Sequence, residues 1–186
     1  MDTLLDNKKK KLFDEIPYLE DERIIIRKIT GRDWRELRKM ARSRVIYRYE
    51  PTYLLERKYS NSIEFLKKLV RKIRDKENLL LAVEYKEDRK LCGLAEFYDY
   101  NERLHKVCIG YRLREEYWGK GIATAAVKLM TDYLQTQTDV EIITASTMPD
   151  NKASAHVLEK NGFVLITCDN EDWGYELPTK AFKWLL

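Results

Sequence analysis

Two glycines between a predicted strand and a predicted helix are the strongest chemical signal in this chain. The apolar run from Val107 to Leu113 is typical of a strand, and the turn after it contains Gly119 and Gly121. Glycine lets the backbone approach a ligand closely and adopt dihedral angles that a side chain would forbid. The next helix begins with N–H groups that have no intrahelical partner, at the positive end of its dipole. This order predicts a phosphate site, although a plain turn would also use these glycines.

Two well-known phosphate loops do not fit this turn. The dinucleotide fingerprint requires a third small residue where this chain has Thr124. The Walker loop requires Ser or Thr after Gly-Lys, whereas Lys120 is followed by Gly121. What remains is a short turn with small residues at Gly121 and Ala123.

A second segment with candidate functional residues lies about 30 residues further along the chain. It runs from Met148 to Phe163 and contains Asn151, Ser154 and the sequence Glu-Lys-Asn-Gly-Phe. Together the two segments resemble the GNAT superfamily of acetyl-CoA-dependent N-acyltransferases, in particular the branch of ribosomal-protein N-terminal acetyltransferases of the RimJ/RimL type. The resemblance covers roughly residues 20 to 184.

The resemblance implies that acetyl-CoA is the cosubstrate and that the glycine turn binds it. The family motif of Gln or Arg, two residues, Gly, one residue, and Gly or Ala falls on Trp118, Gly121 and Ala123. Trp118 departs from the general motif, but tryptophan is common there in this branch and leaves the backbone donors unchanged. The implied coenzyme residues in the loop are Trp118, Gly119, Lys120, Gly121, Ile122, Ala123 and Thr124. A backbone N–H between Tyr111 and Leu113 would polarise the thioester carbonyl.

Asn151 and Ser154 are the candidates for coenzyme binding and proton transfer in the second segment. The amide of Asn151 can donate and accept hydrogen bonds, which suits pantetheine, and it can also cap a helix. The resemblance implies that the Ser154 hydroxyl lies near the coenzyme sulfur, as a proton donor or as a passive hydrogen-bond partner. Many family members have a tyrosine acid seven residues after this asparagine, and Leu158 excludes that acid here.

The general base is less well defined. The branch often has a glutamate just before the Ile-Gly-Tyr of the central strand, where this chain has Cys108. We therefore predict Glu96, on the preceding strand, as the base, acting directly or through water. A solvent-facing or salt-bridged role for Glu96 is an equal alternative. His105 and His156 are predicted to be surface residues.

Composition indicates one globular domain. The chain has 186 residues, of which 44% are hydrophobic and 35% charged, enough for a core without disulfides or metal. Cys92, Cys108 and Cys168 lack the close pairs of zinc or redox sites and are predicted to be buried thiols. The net charge of +4 gives little support for a nucleic-acid partner. Without a signal peptide or an apolar run of roughly 18 residues, the protein is predicted to be cytoplasmic, with no membrane partner.

The remaining sequence predicts the elements that position these residues. Predicted strands cover residues 23–29, 79–85, 91–100, 107–113, 140–145, 163–167 and 181–185. Predicted helices cover residues 34–40, 61–74, 122–134 and 151–160. Short links between strands indicate an antiparallel meander, so the predicted class is α+β, a mostly antiparallel sheet flanked by helices. The resemblance adds that strands 107–113 and 140–147 are parallel neighbours that splay apart around the coenzyme.

One domain is predicted for residues 1–186, with residues 1–19 as a helical extension. Within it, the run from Lys8 to Lys11 is predicted to form a solvated face, with contact to a phosphate backbone as the alternative. The segment from Ser43 to Tyr53 lies where the family builds its acceptor wall, and it could either grip a peptide or cover the sheet.

The predicted function is direct transfer of acetyl from acetyl-CoA to an amine in a ternary complex. A protein N-terminal α-amine is the favoured acceptor, and a polyamine or another small amine is the alternative. A coenzyme-binding sensor without transfer activity is a further alternative, suggested by Cys108 and Leu158. A homodimer is compatible with the sequence.

Overall fold

One eight-stranded sheet organises residues 9–186, the part of the chain that the computed structural model describes. Its strands are β1 Leu19–Glu20, β2 Ile24–Lys28, β3 Asn78–Tyr85, β4 Lys90–Asn101, β5 Lys106–Leu113, β6 Ile142–Thr147, β7 Val164–Glu171 and β8 Thr179–Leu185. The strand order is β1-β2-β3-β4-β5-β6-β8-β7. Neighbouring strands are antiparallel except β5 and β6, which are parallel. The predicted α+β class and mostly antiparallel sheet are confirmed.

Helices flank this sheet. They are α1 Trp34–Ala41, α2 Leu55–Lys58, α3 Ser62–Arg74, α4 Ile122–Gln137 and α5 Lys152–Lys160, with 3-10 turns at Gly31–Asp33, Ile46–Tyr49 and Glu115–Tyr117. Helix α3 begins where predicted, because the Asn61 side chain accepts hydrogen bonds from the backbone of Ile63 and Glu64. The sequence does not predict α2, which is too short to show periodicity. Among residues 9–186, no helix is both long enough and apolar enough to cross a membrane.

Strand β3 is apolar along most of its length because helices cover both of its faces. Leu79, Leu81 and Val83 belong to the hydrophobic cluster that includes α4, whereas Leu80 and Ala82 belong to the cluster that includes α1 and α3. This is the alternation of a strand between two layers. Each buried leucine contributes roughly 1.5–3 kcal/mol. The two cores hold β4 and β5, which carry the candidate site, in the middle of the sheet.

The parallel strands β5 and β6 separate part of the way along their length. They pair from Lys106 with Ile142 to Ile109 with Ala145. Beyond these residues they diverge, β5 continuing against β4 and β6 against β8. The splayed pair implied by the family resemblance is therefore present. It leaves the edge of β5 open toward a gap in the sheet.

Residues 9–18 do not form the helix predicted for this part of the chain. Residues 1–8, including Lys8, lie outside the described residues. Lys10 lies in extended pairing beside the end of α4, where its N–H donates to Gln137 O at 3.0 Å and its carbonyl accepts from Asp139 N at 2.9 Å. Leu12 is fully buried in the core. This tertiary pairing and burial outweigh the weak local preference of a lysine run for helix.

The C-terminal hairpin is longer than predicted, and its outer strand is exposed. Strand β7 is at the edge of the sheet, and seven of its eight residues are exposed. Cys168 lies there and is exposed, so the prediction of a buried thiol is wrong for Cys168. It is confirmed for Cys92 and Cys108. An edge strand has a neighbour on one side only, and the residue types did not identify 164–171 as an edge.

Candidate active site

The glycine turn after β5 has the backbone geometry of an anion site. Gly119 and Gly121 have φ angles of 72° and 73°, in the left-handed region that favours glycine. Gly121 is the N-cap of α4, and Ala125 N donates to Gly121 O at 3.1 Å. The three N–H groups between these residues therefore point out of the helix end, with the dipole behind them. These donors belong to Ile122, Ala123 and Thr124.

Side chains around this turn add positive charge. Arg23, just before β2, has its Nη1 3.3 Å from Lys120 O. A Cβ added at Gly121 would lie 3.0 Å from the same nitrogen, so this arginine occupies the space beside the turn. Lys120 Nζ lies 5.4 Å from the ring centroids of both Tyr85 and Tyr117. Sequence reasoning missed Arg23, since nothing at the start of a strand signals contact with a loop 97 residues later.

Trp118 ties the turn to the end of β5. Its indole Nε1 donates to Leu113 O at 2.9 Å. Arg114 N donates to Cys92 O on β4 at 2.9 Å. Because N–H groups alternate sides along a strand, those of Leu113 and Tyr111 face away from β4, toward the gap left by β6. Two backbone donors are thus available there for carbonyl oxygens.

Asn151 and Ser154 begin α5 on the other side of the gap. Asn151 Oδ1 accepts a hydrogen bond from Ser154 N at 3.2 Å, so Asn151 caps the helix. The cap uses the oxygen and leaves the side-chain amide nitrogen for a ligand. Ser154 Oγ lies 2.8 Å from the Tyr111 hydroxyl, and either group can donate. Burial raises the pKa of Tyr111, so this hydroxyl stays protonated at neutral pH and the pair can relay a proton.

A cavity of about 740 Å³ lies where the two strands diverge. Its wall contains four of the predicted site residues, Glu96, Tyr111, Asn151 and Ser154. This volume is within the usual range for ligand sites. Leu113 and residues 118–124 are not part of this wall. The candidate site therefore has two parts, a loop with the geometry of an anion site and a candidate reaction cavity, joined along β5.

The segment between α1 and α2 forms part of the cavity wall. Tyr49, Glu50 and Tyr53 line the cavity, as does Trp173 from the connection between β7 and β8. Thr52 N donates to Trp173 O at 2.8 Å and holds the two parts of the wall together. Of the two interpretations of this segment, the geometry favours an acceptor wall.

Glu96 lies at the cavity, but both of its carboxylate oxygens have protein partners. Oε1 accepts a hydrogen bond from Asn78 Nδ2, and Oε2 accepts one from Arg112 Nη1 at 2.7 Å. Arg112 is buried and also donates through Nε to Glu56 Oε1 at 2.6 Å. These contacts favour the salt-bridged alternative for Glu96 over the base predicted from the sequence.

Glu50 is a second cavity carboxylate and has a different environment. Its side chain is half-buried, and within residues 9–186 it forms no hydrogen bond or ion pair with the protein. Burial raises the pKa of Glu50 to about 8, which Arg112 opposes and the carboxylates of Glu96 and Glu56 reinforce. Sequence reasoning placed Glu50 in the acceptor segment but did not identify it as a base, because its lack of a partner depends on the fold.

The remaining positions considered for an acid or a base are not suited to proton transfer in the cavity. Cys108 lines it, but burial raises the pKa of this thiol, so it stays neutral. Leu158 contributes a fully buried apolar side chain. The side chains of His105 and His156 are 42% and 65% exposed, which confirms the prediction that both lie at the surface. In the described part of the chain, no group of three or more His, Cys, Asp or Glu side chains is arranged to hold a metal ion.

A turn with the backbone geometry of a phosphate site and a cavity between splayed strands are the arrangement expected of an acyl-coenzyme-binding protein. The sequence model of a family described as the acetyltransferase (GNAT) domain matches residues 23–164. The chain therefore belongs to the GNAT acetyltransferase family. It is an acetyl-CoA-dependent N-acetyltransferase.

Individual proteins are similar to this chain in sequence or in fold. The uncharacterized N-acetyltransferase YoaA of Bacillus subtilis is 26% identical over 149 residues, which cover 79% of this chain and 82% of YoaA. The ribosomal-protein-S5-alanine acetyltransferase of Vibrio fischeri shares the fold with a TM-score of 0.72 and 22% identity, over 91% of this chain and 96% of that one. A spermidine N-acetyltransferase of Vibrio cholerae, solved with CoA and spermine, has a TM-score of 0.73 and 20% identity. The match covers 89% of this chain and 96% of the Vibrio cholerae chain.

Proposed function

We propose that this enzyme acetylates the N-terminal α-amine of a protein or peptide. The observation that carries this proposal is the wall of the reaction cavity, which contains the aromatic side chains of Tyr49, Tyr53 and Trp173 as well as Ser154. Aromatic side chains offer large contact surfaces for the first residues of a peptide. An α-amine also has an ordinary pKa of about 8, so it is partly neutral at physiological pH, unlike a lysine-type amine near 10.4.

In the proposed reaction, Ile122, Ala123 and Thr124 bind the coenzyme pyrophosphate through their backbone. The N–H groups of Tyr111 and Leu113 face the pantetheine arm and the thioester carbonyl, where charge develops as the amine attacks. Asn151 binds the pantetheine through its side-chain amide nitrogen. Ser154, hydrogen-bonded to Tyr111, gives a proton to the departing thiolate. The transfer is direct, without a covalent enzyme intermediate.

A polyamine is the second candidate acceptor, because the cavity wall contains acids without basic partners. Its basic side chains are paired as Lys72 with Glu77, Lys106 with Asp99, Arg112 with Glu96 and Lys183 with Glu171. Glu50, Asp169 and Asp172 also line the cavity, and among the described residues they form no ion pair with a base. This excess of negative charge attracts a cation, and a polyamine carries several positive charges. The Vibrio cholerae relative acts on spermidine.

Thiol release from acetyl-CoA with matched acceptors tests these proposals. The acceptors are a peptide with a free N-terminus and no lysine, the same peptide with a blocked N-terminus and one internal lysine, and spermidine. We expect the free N-terminus to react fastest at pH 7, and mass spectrometry should place one acetyl group on it. Faster reaction of spermidine than of any peptide would assign the polyamine function. No thiol release with any amine, despite acetyl-CoA binding, would assign the sensor function.

A further inference from the structure

We propose that Glu50 is the acceptor subsite of this enzyme: its carboxylate binds the acceptor amine as an ammonium ion and then removes one proton. This inference rests on the proposed acetyl transfer and deepens it, because it names the group that prepares the nucleophile. It applies to a primary amine on a peptide or on a small molecule.

The backbone holds Glu50 firmly at the cavity. Pro51 restricts the preceding residue to extended conformations, and Glu50 has φ −117° and ψ 153° at the end of the 3-10 turn. The Glu50 N–H donates to Tyr47 O at 3.4 Å, and its carbonyl accepts a hydrogen bond from the Tyr175 hydroxyl at 2.9 Å. Both backbone polar groups of Glu50 are thus hydrogen-bonded, and the residue forms part of the cavity wall.

The neighbouring acids either have protein partners or lie outside the cavity wall, as does Glu56, whose Oε2 is buried without a hydrogen-bond partner among the described residues. Glu96 binds Asn78 and Arg112, and Oε1 of Glu56 accepts from Arg112 and from the Tyr47 hydroxyl at 2.9 Å. Arg112 is therefore shared between two carboxylates, and it lies outside ion-pair distance of Glu50. With a pKa of about 8, Glu50 is mostly protonated in the free enzyme at neutral pH. When Glu50 is ionised, three carboxylates surround one guanidinium and leave a negative charge, so a bound substrate ammonium favours the ionised form of Glu50. Glu50 is the acid of this group that is free to contact it.

The surroundings of Glu50 also suit proton transfer. The charged groups that influence the pKa of Glu50 are the Arg112 guanidinium and the carboxylates of Glu96 and Glu56. The charge of Glu50 in turn helps to raise the pKa values of Tyr47, Tyr98 and Tyr111. Burial raises the pKa values of these three tyrosines, so they do not compete for the proton at neutral pH. The pKa of Glu50 itself, about 8, matches that of an α-amine, also about 8, so the proton passes between groups of similar basicity.

The step balances in protons and charge. The Glu50 carboxylate takes one proton from the ammonium ion, and the neutral nitrogen attacks the thioester carbonyl carbon, so that a C–N bond forms. As the C–S bond breaks, the nitrogen loses a second proton, which reaches the thiolate through the Ser154 hydroxyl. The products are the acetylated amine and the CoA thiol, and protonated Glu50 then releases its proton to water.

The test compares Glu50→Gln with Asp172→Asn, which removes the same charge from the rim of the cavity. Peptide acetylation is measured from pH 6 to 9 at saturating acetyl-CoA, and acetyl-CoA binding is measured by calorimetry. Glu50→Gln should lower kcat/KM for the peptide about 100-fold or more at pH 7, the usual scale of general base catalysis, with acetyl-CoA affinity unchanged. Asp172→Asn should change KM without changing the shape of the pH profile.

An acceptor amine that is weakly basic, and therefore neutral at pH 7, distinguishes a base from a purely structural role of Glu50. It needs no deprotonation, so the loss caused by Glu50→Gln should shrink at least tenfold with this acceptor. Glu50→Asp, which keeps the charge, should retain more activity than Glu50→Gln. If the parent enzyme is active and Glu50→Gln stays within threefold of it across the pH range, Glu50 is not the base and the acetyltransferase function stands. If the parent binds acetyl-CoA but acetylates no amine, the proposed function fails and the base assignment fails with it.

Discussion

The hydroxyl groups of Tyr111 and Ser154 lie 2.8 Å apart and connect the middle of strand β5 to the first turn of helix α5. Tyr111 belongs to the strand whose open edge faces the gap, and Ser154 lies one turn after the helix cap Asn151. The contact therefore spans the opening between the diverging elements. It gives Ser154 a second hydroxyl from which to regain a proton.

Ser154→Ala should lower turnover more than it lowers coenzyme affinity. A group that protonates the leaving thiolate acts mainly in the transition state, so kcat should fall about 100-fold while KM for acetyl-CoA stays similar. Tyr111→Phe should have a smaller effect, because Tyr111 acts through Ser154. In the double variant the loss should match that of Ser154→Ala alone. Unchanged kcat in Ser154→Ala at saturating substrates would show that water or another group protonates the thiolate.

Ala123→Glu should abolish acetyl-CoA binding. The Ala123 N–H is one of the three free donors at the start of α4, and a carboxylate there would repel the pyrophosphate at the positive helix end. Ala123→Gln is the matched control, since it adds nearly the same volume without charge and should retain part of the affinity. Calorimetry in 50 mM and 500 mM salt would separate the charge effect, which salt weakens. Equal affinity of the parent and Ala123→Glu would remove this loop as the coenzyme site.

The backbone features of the proposed coenzyme half could be predicted from the sequence because their signals are local. Gly119 and Gly121 have the positive φ angles that their residue type suggested, and Asn151 forms the predicted cap within three residues of Ser154. Such features depend on neighbours in the chain, so residue type and spacing define them. The central strands were also predicted, because their apolar, β-branched and aromatic runs are bounded by turn residues.

The acceptor half could not be predicted, since it depends on contacts between distant segments. Whether Glu96 or Glu50 is free depends on Arg112 of β5, which lies 16 residues from Glu96 and 56 from Glu56. No spacing rule connects these positions. Leu12 illustrates the same limit, because its burial against the core displaced the helix expected in the N-terminal segment.

Two substitutions of Asn151 should separate its structural and coenzyme roles. Asn151→Ala removes the cap of α5 and should cost about 1 kcal/mol of stability. Asn151→Asp keeps an oxygen that can accept from Ser154 N but loses the amide N–H donors. It should therefore keep the parent melting temperature and still bind acetyl-CoA more weakly. Parent-like coenzyme affinity in Asn151→Asp would limit Asn151 to the cap.

Glu96→Gln should destabilise the protein through Arg112. Glu96 Oε2 lies 2.7 Å from Arg112 Nη1, and both side chains are buried. Removing one partner of a buried ion pair typically costs 3–5 kcal/mol, although the second carboxylate, Glu56, should reduce the cost to about 2 kcal/mol. Urea unfolding would measure it. If the variant has parent stability and an altered pH profile of activity, Glu96 regains the role of base.

Glu50 should make the protein less stable as the pH rises, and Glu50→Gln should remove this effect. The pKa of Glu50 is about 8 in the folded chain, above its ordinary value of 4.5. Between these values the folded protein holds a proton that the unfolded chain has released, so the free energy of unfolding falls as the pH increases through this range. Below pH 4.5 both states are protonated, and the parent and Glu50→Gln should melt at similar temperatures. From pH 8 upward the variant should be more stable by about 1–2 kcal/mol, a value reduced for the partial exposure of the carboxylate.

Thermal unfolding at pH 4.5, 6, 7 and 8.5 would measure this difference, which should grow to about 3–6 °C at the highest pH for a chain of this size. Glu176→Gln is the control, because it removes an exposed carboxylate and changes the net charge by the same amount. Its difference from the parent should stay nearly constant over the same range. A constant difference for Glu50→Gln as well would mean that Glu50 is ionised in the folded enzyme at neutral pH. Its carboxylate would then bind the ammonium form without the raised basicity that suits it to remove the proton.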